Sequence, residues 1–395
     1  MPSPCRRGHS TREIVDELRA ILRSIQTGSG RHSAPKSVPS VAVLPFKDLS
    51  PAADQQYFCE GMADEIITAL SGVGGIQVAS RSSSVPAQEK GLDAVEIGQR
   101  LTVQHLVEGS VCKAGNRVRI TAQLTNIADG YQLWTERYDR DLDDVFAVQD
   151  EIARTIVERL KVKLTPADEV PAIRKATDSA EAYALYTKGR YHWARRNRWH
   201  PRVALECFDK AVALDPDYAL AHAGLADCYT IMNVYGVRPG SELRPLALNA
   251  AERALFLDAS LAEAHHAYGA VCQWVLFDRI AAEASHKRAL ELNPRLAITY
   301  AYLGLLYAVQ RRRQEASAAV GQATTLEPDS AVVQYISGGV SYWIGEMEAA
   351  ERYIAQALEL EREAAYPNWI KACMRCRTGA FDAGHRDRGA RCRAR

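Results

Sequence analysis

Residues 297–330, AITYAYLGLLYAVQRRRQEASAAVGQATTLEPDS, read as two helices joined by a short polar turn. Tyr300, Leu303, Gly304 and Tyr307 recur at i, i+3, i+4 and i+7, so they share one face of a 3.6-residue helix. Gln310 to Gln314 interrupts the pattern. Ala316, Val320, Ala323 and Leu326 restart it, and Pro328, which has no amide hydrogen to donate, ends it. A single hairpin of this build cannot bury both of its apolar faces, so the stretch predicts stacked neighbours of the same kind.

Those neighbours are present in the same register. Ala204, Phe208 and Ala211 precede Pro216; Ala247, Ala251 and Ala254 precede Ala259, at the place where proline would stand. Ala282, His286 and Ala289 precede Pro294; Ala350, Ile354 and Ala357 precede Arg362. The order aromatic, Leu-Gly, Tyr, Ala, apolar, Ala, Pro over about 34 residues resembles the tetratricopeptide repeat. The spacing predicts about five repeats over 181–364, with an insertion at Asn233 to Leu243 and extra residues around Arg195 to Pro201. A sixth repeat fails after Trp369 and Ala372. The tail that follows is basic, with eight Lys or Arg against two Asp over 371–395, and reads as a solvated end.

At 395 residues the chain is longer than one core usually supports, so more than one domain is expected. A net charge of +1 gives no global attraction to nucleic acid or acidic lipid. No apolar run is long enough to span a bilayer and the N-terminus lacks a signal-peptide core, which predicts a soluble, cytoplasmic protein. The nine cysteines are an odd number, and Cys207, Cys228 and Cys272 fall inside amphipathic helices, so buried thiols are expected rather than a disulfide framework.

Residues 1–39 read as a short amphipathic helix over 10–25, with Ser10 and Glu13 at capping-box spacing, followed by a Gly/Ser/Pro linker. From 40 to 164 strand and helix patterns alternate: strands at 41–46, 76–81, 105–113, 117–126 and 131–139, and helices at 57–73, at 92–101 and from Leu142 on. Ala114-Gly115-Asn116 marks a hairpin, and the alternation of Val118, Ile120, Ala122 and Leu124 with polar residues predicts a sheet with one wet face. A polar link over 165–180 separates this α/β domain from the repeats. The ordered blocks AVLPF, QQYFCEGMADEIITALS, VASRSS, IGQRL, LVEGSV, NRVRITAQL and DGYQLWTERYDRDLDDVFAVQDEIA resemble the N-terminal domain of TolB and of FlgO-like proteins. They look more like the version placed before tetratricopeptide arrays in bacterial signalling proteins, often behind a Ser/Thr kinase, a nucleotide cyclase or a winged-helix domain. The resulting fold class is a small TolB-N-like α/β domain followed by an all-α tetratricopeptide solenoid.

Catalytic signals are weak. Cys373, Cys376, His385 and Cys392 match no common zinc spacing, and free thiols in a polar tail are the simpler reading. Glu60, Asp64, Glu65 and the run Asp139, Asp141, Asp143, Asp144 are read as charges placed by helix dipoles rather than as a cation site. Gly72, Gly74 and Gly75 follow a helix and lack the Lys-Ser/Thr of a phosphate loop. His265 and His266 have no companion ligand, and no kinase, hydrolase or dinucleotide motif occurs. The reading therefore expects no enzyme activity, no cofactor and no metal.

What remains is a surface. Stacked hairpins form a groove lined by the first helix of each repeat. The tetratricopeptide resemblance places in it Asp227 and Ile231, then His266, Gln273 and Trp274, then Ala301, Leu305 and Val309, then Tyr335, Tyr342 and Trp343. Ala301, Leu305 and Val309 are read as an apolar floor. The expected function is binding of a protein or peptide partner in signal transduction, with nucleic acid and membrane as unfavoured partners. The alternative is the C-terminal part of a Ser/Thr kinase or nucleotide cyclase signalling enzyme.

Overall fold

A computed structural model of the chain describes residues 38–52, 55–71, 73, 75–79, 84, 92–115, 117–141, 144–160, 176–194, 200–361, 368, 370 and 371. The expected helix over 10–25, most of both linkers, Gly72 and Gly74, the cysteine-rich tail and its candidate zinc ligands lie outside these residues.

The sheet is organised around β1 (Ser40–Val43), whose residues are all buried because it is covered on both faces. β3 (Gln77–Val78) and β4 (His105–Ala114) flank it in parallel, and β4, β5 (Arg117–Asn126) and β6 (Gln132–Asp141) continue as an antiparallel meander. The order is β3-β1-β4-β5-β6, with the two-residue β2 (Lys47–Asp48) pairing on β4. Val41 and Val43 point to the face packed by α1 (Gln56–Ser71) and α3 (Val145–Arg159). Ala42 and Leu44 point to the other face, beside Ile97 of α2 (Ala94–Leu101). α2 opens with a full capping box in which Asp93 accepts from the Glu96 amide at 2.8 Å and Glu96 from the Asp93 amide at 3.0 Å. The turn between β4 and β5 uses Gly115 at φ +61°, which a side chain would resist.

The described part of the solenoid holds five helical hairpins: α4 (Ala180–Ala194) with α5 (His200–Leu214), α6 (Ala219–Val234) with α7 (Gly240–Leu257), α8 (Ala262–Val271) with α9 (Arg279–Leu292), α10 (Ala297–Val309) with α11 (Arg313–Leu326), and α12 (Ala331–Ile344) with α13 (Met347–Leu360). Each signature alanine named above in the second helices is buried. Close approach needs glycine in the first helices: a Cβ on Gly269 would stand 2.7 Å from the His286 ring, and one on Gly338 2.7 Å from Ile354. The expected insertion at 233–243 is shorter than the sequence suggests, because α7 already begins at Gly240.

One feature was not legible as a repeat. α8 passes into a π-helical turn, Cys272–Leu276, closed by Phe277 in the left-handed region at φ 58°. That turn accommodates the one extra residue separating Gly269 from Ala282, compared with Gly304 from Ala316. Asp278 then caps α9 through the amides of Ile280 and Ala281.

Candidate partner-binding surface

The first helices α4, α6, α8, α10 and α12 carry the residues expected to line a groove, and the first of these helices is covered by the chain itself. α1 of the α/β domain lies on α4. Phe58 meets Tyr183 edge-on at 6.4 Å, and Gly61 lets the helices approach so closely that a Cβ there would stand 2.6 Å from Thr187 Cγ2. Gln149 of α3 donates to the Tyr183 hydroxyl at 3.1 Å. Ala180 and Tyr183 are thereby members of the α/β core, so the hydrophobic interior runs unbroken into the first hairpin.

Beside this apolar contact sits a charged one. Loss of hydration pushes the Glu65 carboxyl up to about 7; Asp64 and Glu263 push the same way, while Arg190 pulls it down. Arg190 in turn is held protonated by Tyr186, Glu263, Asp64 and Asp227. These groups come from α1, α4, α6 and α8. Asp227, expected to face a partner, thus lies in the field of Arg190. Tyr183, Tyr186 and Arg190 occupy equivalent groove positions on the first repeat, which sequence reasoning passed over; the missed signal is their i, i+3, i+7 spacing ahead of the signature alanines.

Of the acidic residues read as helix-dipole charges, Glu60, Glu65 and Asp139 are placed elsewhere than a helix N-terminus. Glu60 is buried within α1, past its first turn, and Glu65 faces Arg190. Asp139 stands in β6, 2.7 Å from Arg119 and 3.2 Å from Arg137. Ion pairing on the sheet accounts for Asp139, whereas Asp144 stands at the N-cap of α3, where the helix dipole favours an acidic residue.

Further along, His266 and Gln273 are drawn inside. His266 Nδ1 and the Thr299 hydroxyl are 2.9 Å apart, which ties α8 to α10. Gln273 donates to the carbonyl of Tyr302 at 3.3 Å and its Oε1 lies 3.1 Å from His286 Nε2. The rings of His266 and Trp274 pack on Tyr302 at 5.1 and 6.5 Å. Burial pushes the His286 imidazole down to about 3, and its Nδ1 has no hydrogen-bond partner. The π-helical turn brings Gln273 into this layer, a use that such bulges often serve.

Of the other expected groove residues, Ile231, Ala301, Leu305 and Tyr335 are buried, and Trp274 and Tyr342 are half-buried. Val309 is 50% exposed and Trp343 43%. Trp274, Val309 and Trp343 each stand five residues after a glycine, Gly269, Gly304 and Gly338; Val309 and Trp343 lie at the ends of α10 and α12, and Trp274 lies in the π-helical turn that follows α8. At the junction with the α/β domain Arg295 donates to the Val78 carbonyl at 2.7 Å, beside a cleft of about 340 Å³ between Arg100 and Leu326.

Residues 36–155 match the family model described as the second domain of HilA/YgeH-like transcriptional regulators. A curated relative, the putative adenylate cyclase 3 of Rhizobium meliloti (strain 1021), is 37% identical over 242 residues, which make up 60% of this chain and 40% of that protein. The chain therefore spans well under half of the relative it matches. Among solved structures, the thermophilic TPR protein TTC0263 of Thermus thermophilus is 20% identical, covers 49% of this chain and 98% of its own, and has a TM-score of 0.40. TolB from Acinetobacter baumannii is 18% identical, covers 32% of this chain and 29% of its own, with a TM-score of 0.26. The fold class rests on the mixed sheet and the five stacked hairpins themselves. Among the described residues no helix is long and apolar enough to cross a membrane.

Proposed function

We propose that the chain is a non-catalytic, regulatory part of a bacterial signalling protein of the cytoplasm, with a TolB/FlgO-like α/β domain, which binds a protein or peptide segment along hairpins three to five. The observation that carries this reading is the row Trp274, Val309 and Trp343. Val309 and Trp343 present exposed apolar surface at the ends of successive first helices and Trp274 stands half-buried in the turn after α8, while α1 already covers the first hairpin. Aromatic side chains that hairpin stacking leaves partly open are suited to anchor a partner. Crosslinking capture with the intact chain and with the Trp274→Ala, Trp343→Ala double variant tests it. Loss of specific partners from the double variant is expected, and an unchanged set refutes the groove assignment.

A second reading is favoured by the 37% identity to a protein named as a putative adenylate cyclase: this region acts in one polypeptide or complex with a cyclase. Cyclic AMP formation from ATP, assayed on the chain alone and on the product of its complete reading frame, separates the two. Activity confined to the longer product supports the second reading and leaves the groove as its regulatory element.

A further inference from the structure

β6 is the outermost strand of the sheet, and among the described residues nothing pairs with its outer edge. In such a strand the N–H and C=O groups of alternate residues face away from the sheet and can hydrogen-bond a further strand. Its irregularity in pairing is at its start, where Leu124 pairs Trp134 and Thr125 pairs Gln132, so Leu133 is extra. From Trp134 to Asp141 the ladder is regular and contains no proline.

Charged residues on an edge strand ordinarily discourage further pairing. Here their order makes one pairing favourable. The run Glu136-Arg137-Tyr138-Asp139-Arg140 has charges −, +, 0, −, +. Laid antiparallel on a second copy about Tyr138, it sets each Glu136 opposite Arg140 and each Arg137 opposite Asp139, four attractive cross-strand pairs about one two-fold axis. Moving the axis by one residue toward the N-terminus sets Arg137 against Arg137, and by one toward the C-terminus Asp139 against Asp139, so the charges also select the register. Glu136, Arg137 and Arg140 are exposed. Contacts within the sheet and to α3 already order these side chains. Glu136 accepts from the Trp134 indole at 3.0 Å and from the Tyr138 hydroxyl at 3.2 Å, and Arg140 reaches Glu151 at 3.8 Å. Arg119 bonds Asp139 at 2.7 Å from the β5 side, so the dimer would carry Arg119, Asp139 and the second copy's Arg137 in one row of alternating sign.

The geometry points to self-association of this chain through β6, two copies joining their sheets antiparallel about Tyr138 into one continuous sheet. The interface is isologous, as two-fold pairing requires. It lies on the α/β domain and is independent of the row of groove residues proposed above for a partner.

Sedimentation equilibrium on the full chain tests it. The wild type is expected to move from chain mass toward twice that mass as concentration rises. Glu136→Lys sets a lysine against Arg140 twice, and Arg140→Glu sets a glutamate against Glu136 twice. Each is expected to weaken self-association on the order of ten- to a hundredfold, because two cross-strand charge pairs turn from attractive to repulsive. In an equimolar mixture of the two variants, the introduced lysine of one copy faces the introduced glutamate of the other, and Arg140 of the first faces Glu136 of the second. The mixture should recover the dimer. Thr135→Lys, opposite Asp141 in the same register, should tighten the wild-type dimer. A wild type that stays at chain mass at every concentration, a dimer indifferent to the single variants, or a mixture of folded variants that stays monomeric overturns the inference.

Discussion

Acidification should weaken the solenoid through one side chain, His286. The imidazole is wholly buried, faces Gln273 through Nε2 and has no partner at Nδ1. A proton on Nδ1 would leave a buried cation without an acceptor, which is why the folded-state pKa falls to about 3 from 6.5. The unfolded chain binds that proton below pH 6.5 and the folded chain does not until about pH 3, so stability is complete above 6.5 and is lost as pH falls between these values. At ~1.36 kcal/mol per pH unit, the loss is about 2 kcal/mol by pH 5 and about 4–5 kcal/mol by pH 3. The perturbation is His286→Phe, which fills the site with an apolar ring of the kind the repeat pattern expects there. At pH 7.5 the variant should be about 1–2 kcal/mol less stable, because Gln273 Oε1 loses its partner. Urea unfolding of both proteins at pH 7.5, 6 and 5 is the assay. Every other titrating group acts in both proteins, so the difference in their pH slopes isolates His286. Equal loss of stability in wild type and variant between pH 7.5 and 5 would refute the argument.

Three other outcomes follow from single contacts. Gly109→Ala drives a Cβ into the Thr121 carbonyl oxygen and the Phe46 ring, so it should destabilise the α/β domain by about 3 kcal/mol, read as a lowered melting temperature. Asp278→Ala removes the cap of α9 and should cost about 1 kcal/mol in urea unfolding, with Asp278→Asn retaining most of it. Glu65 has the opposite pH sign to His286. A carboxyl raised to about 7 from 4.5 contributes stability that is complete below pH 4.5 and is lost as pH rises toward 7. Amide exchange in α1 and α4 should therefore quicken from pH 5 to 8 beyond its intrinsic pH dependence, and Glu65→Gln should flatten that rise.

The hairpins were legible because the residues that define them do two jobs at once. Ala204, Ala247, Ala282, Ala316 and Ala350 set both the helical period and the close packing against the first helix, so period and burial agree. β5 was legible for a similar reason: Val118, Ile120, Ala122 and Leu124 alternate because only one face is covered. β1 reads as a strand but not as the sheet's centre, since burial on both faces erases alternation. The groove is harder. Consensus position groups Trp274, Val309 and Trp343 on one row, but it carries no information on what else the chain lays there. α1 covering α4 depends on contacts such as Phe58 with Tyr183 and Gln149 with Tyr183, between segments whose meeting no local pattern encodes. Consensus position also puts His266 and Gln273 at the surface. The burial of Gln273 goes with the π-helical turn it lies in, which one extra residue creates and which a repeat template averages away, while His266 is buried against Thr299 and Tyr302 of the next hairpin.

Occupation of the first hairpin by α1 limits what a partner can be. With α4 covered and Asp227 and Glu263 engaged with Arg190, the row proposed for a partner begins at half-buried Trp274 and ends at exposed Trp343. Packed helices stand roughly 8–10 Å apart, so the row from α8 through α10 to α12 spans on the order of 20 Å. An extended segment covers that in about six residues at roughly 3.3 Å each, and a helix in about thirteen at roughly 1.5 Å each. Once a captured segment is known, its truncation series is therefore informative. Affinity should fall stepwise as each of three apolar anchors is removed and should not change when residues outside a six- or thirteen-residue window are trimmed. A partner whose affinity grows steadily with segment length far beyond that window would be engaging some surface other than this row.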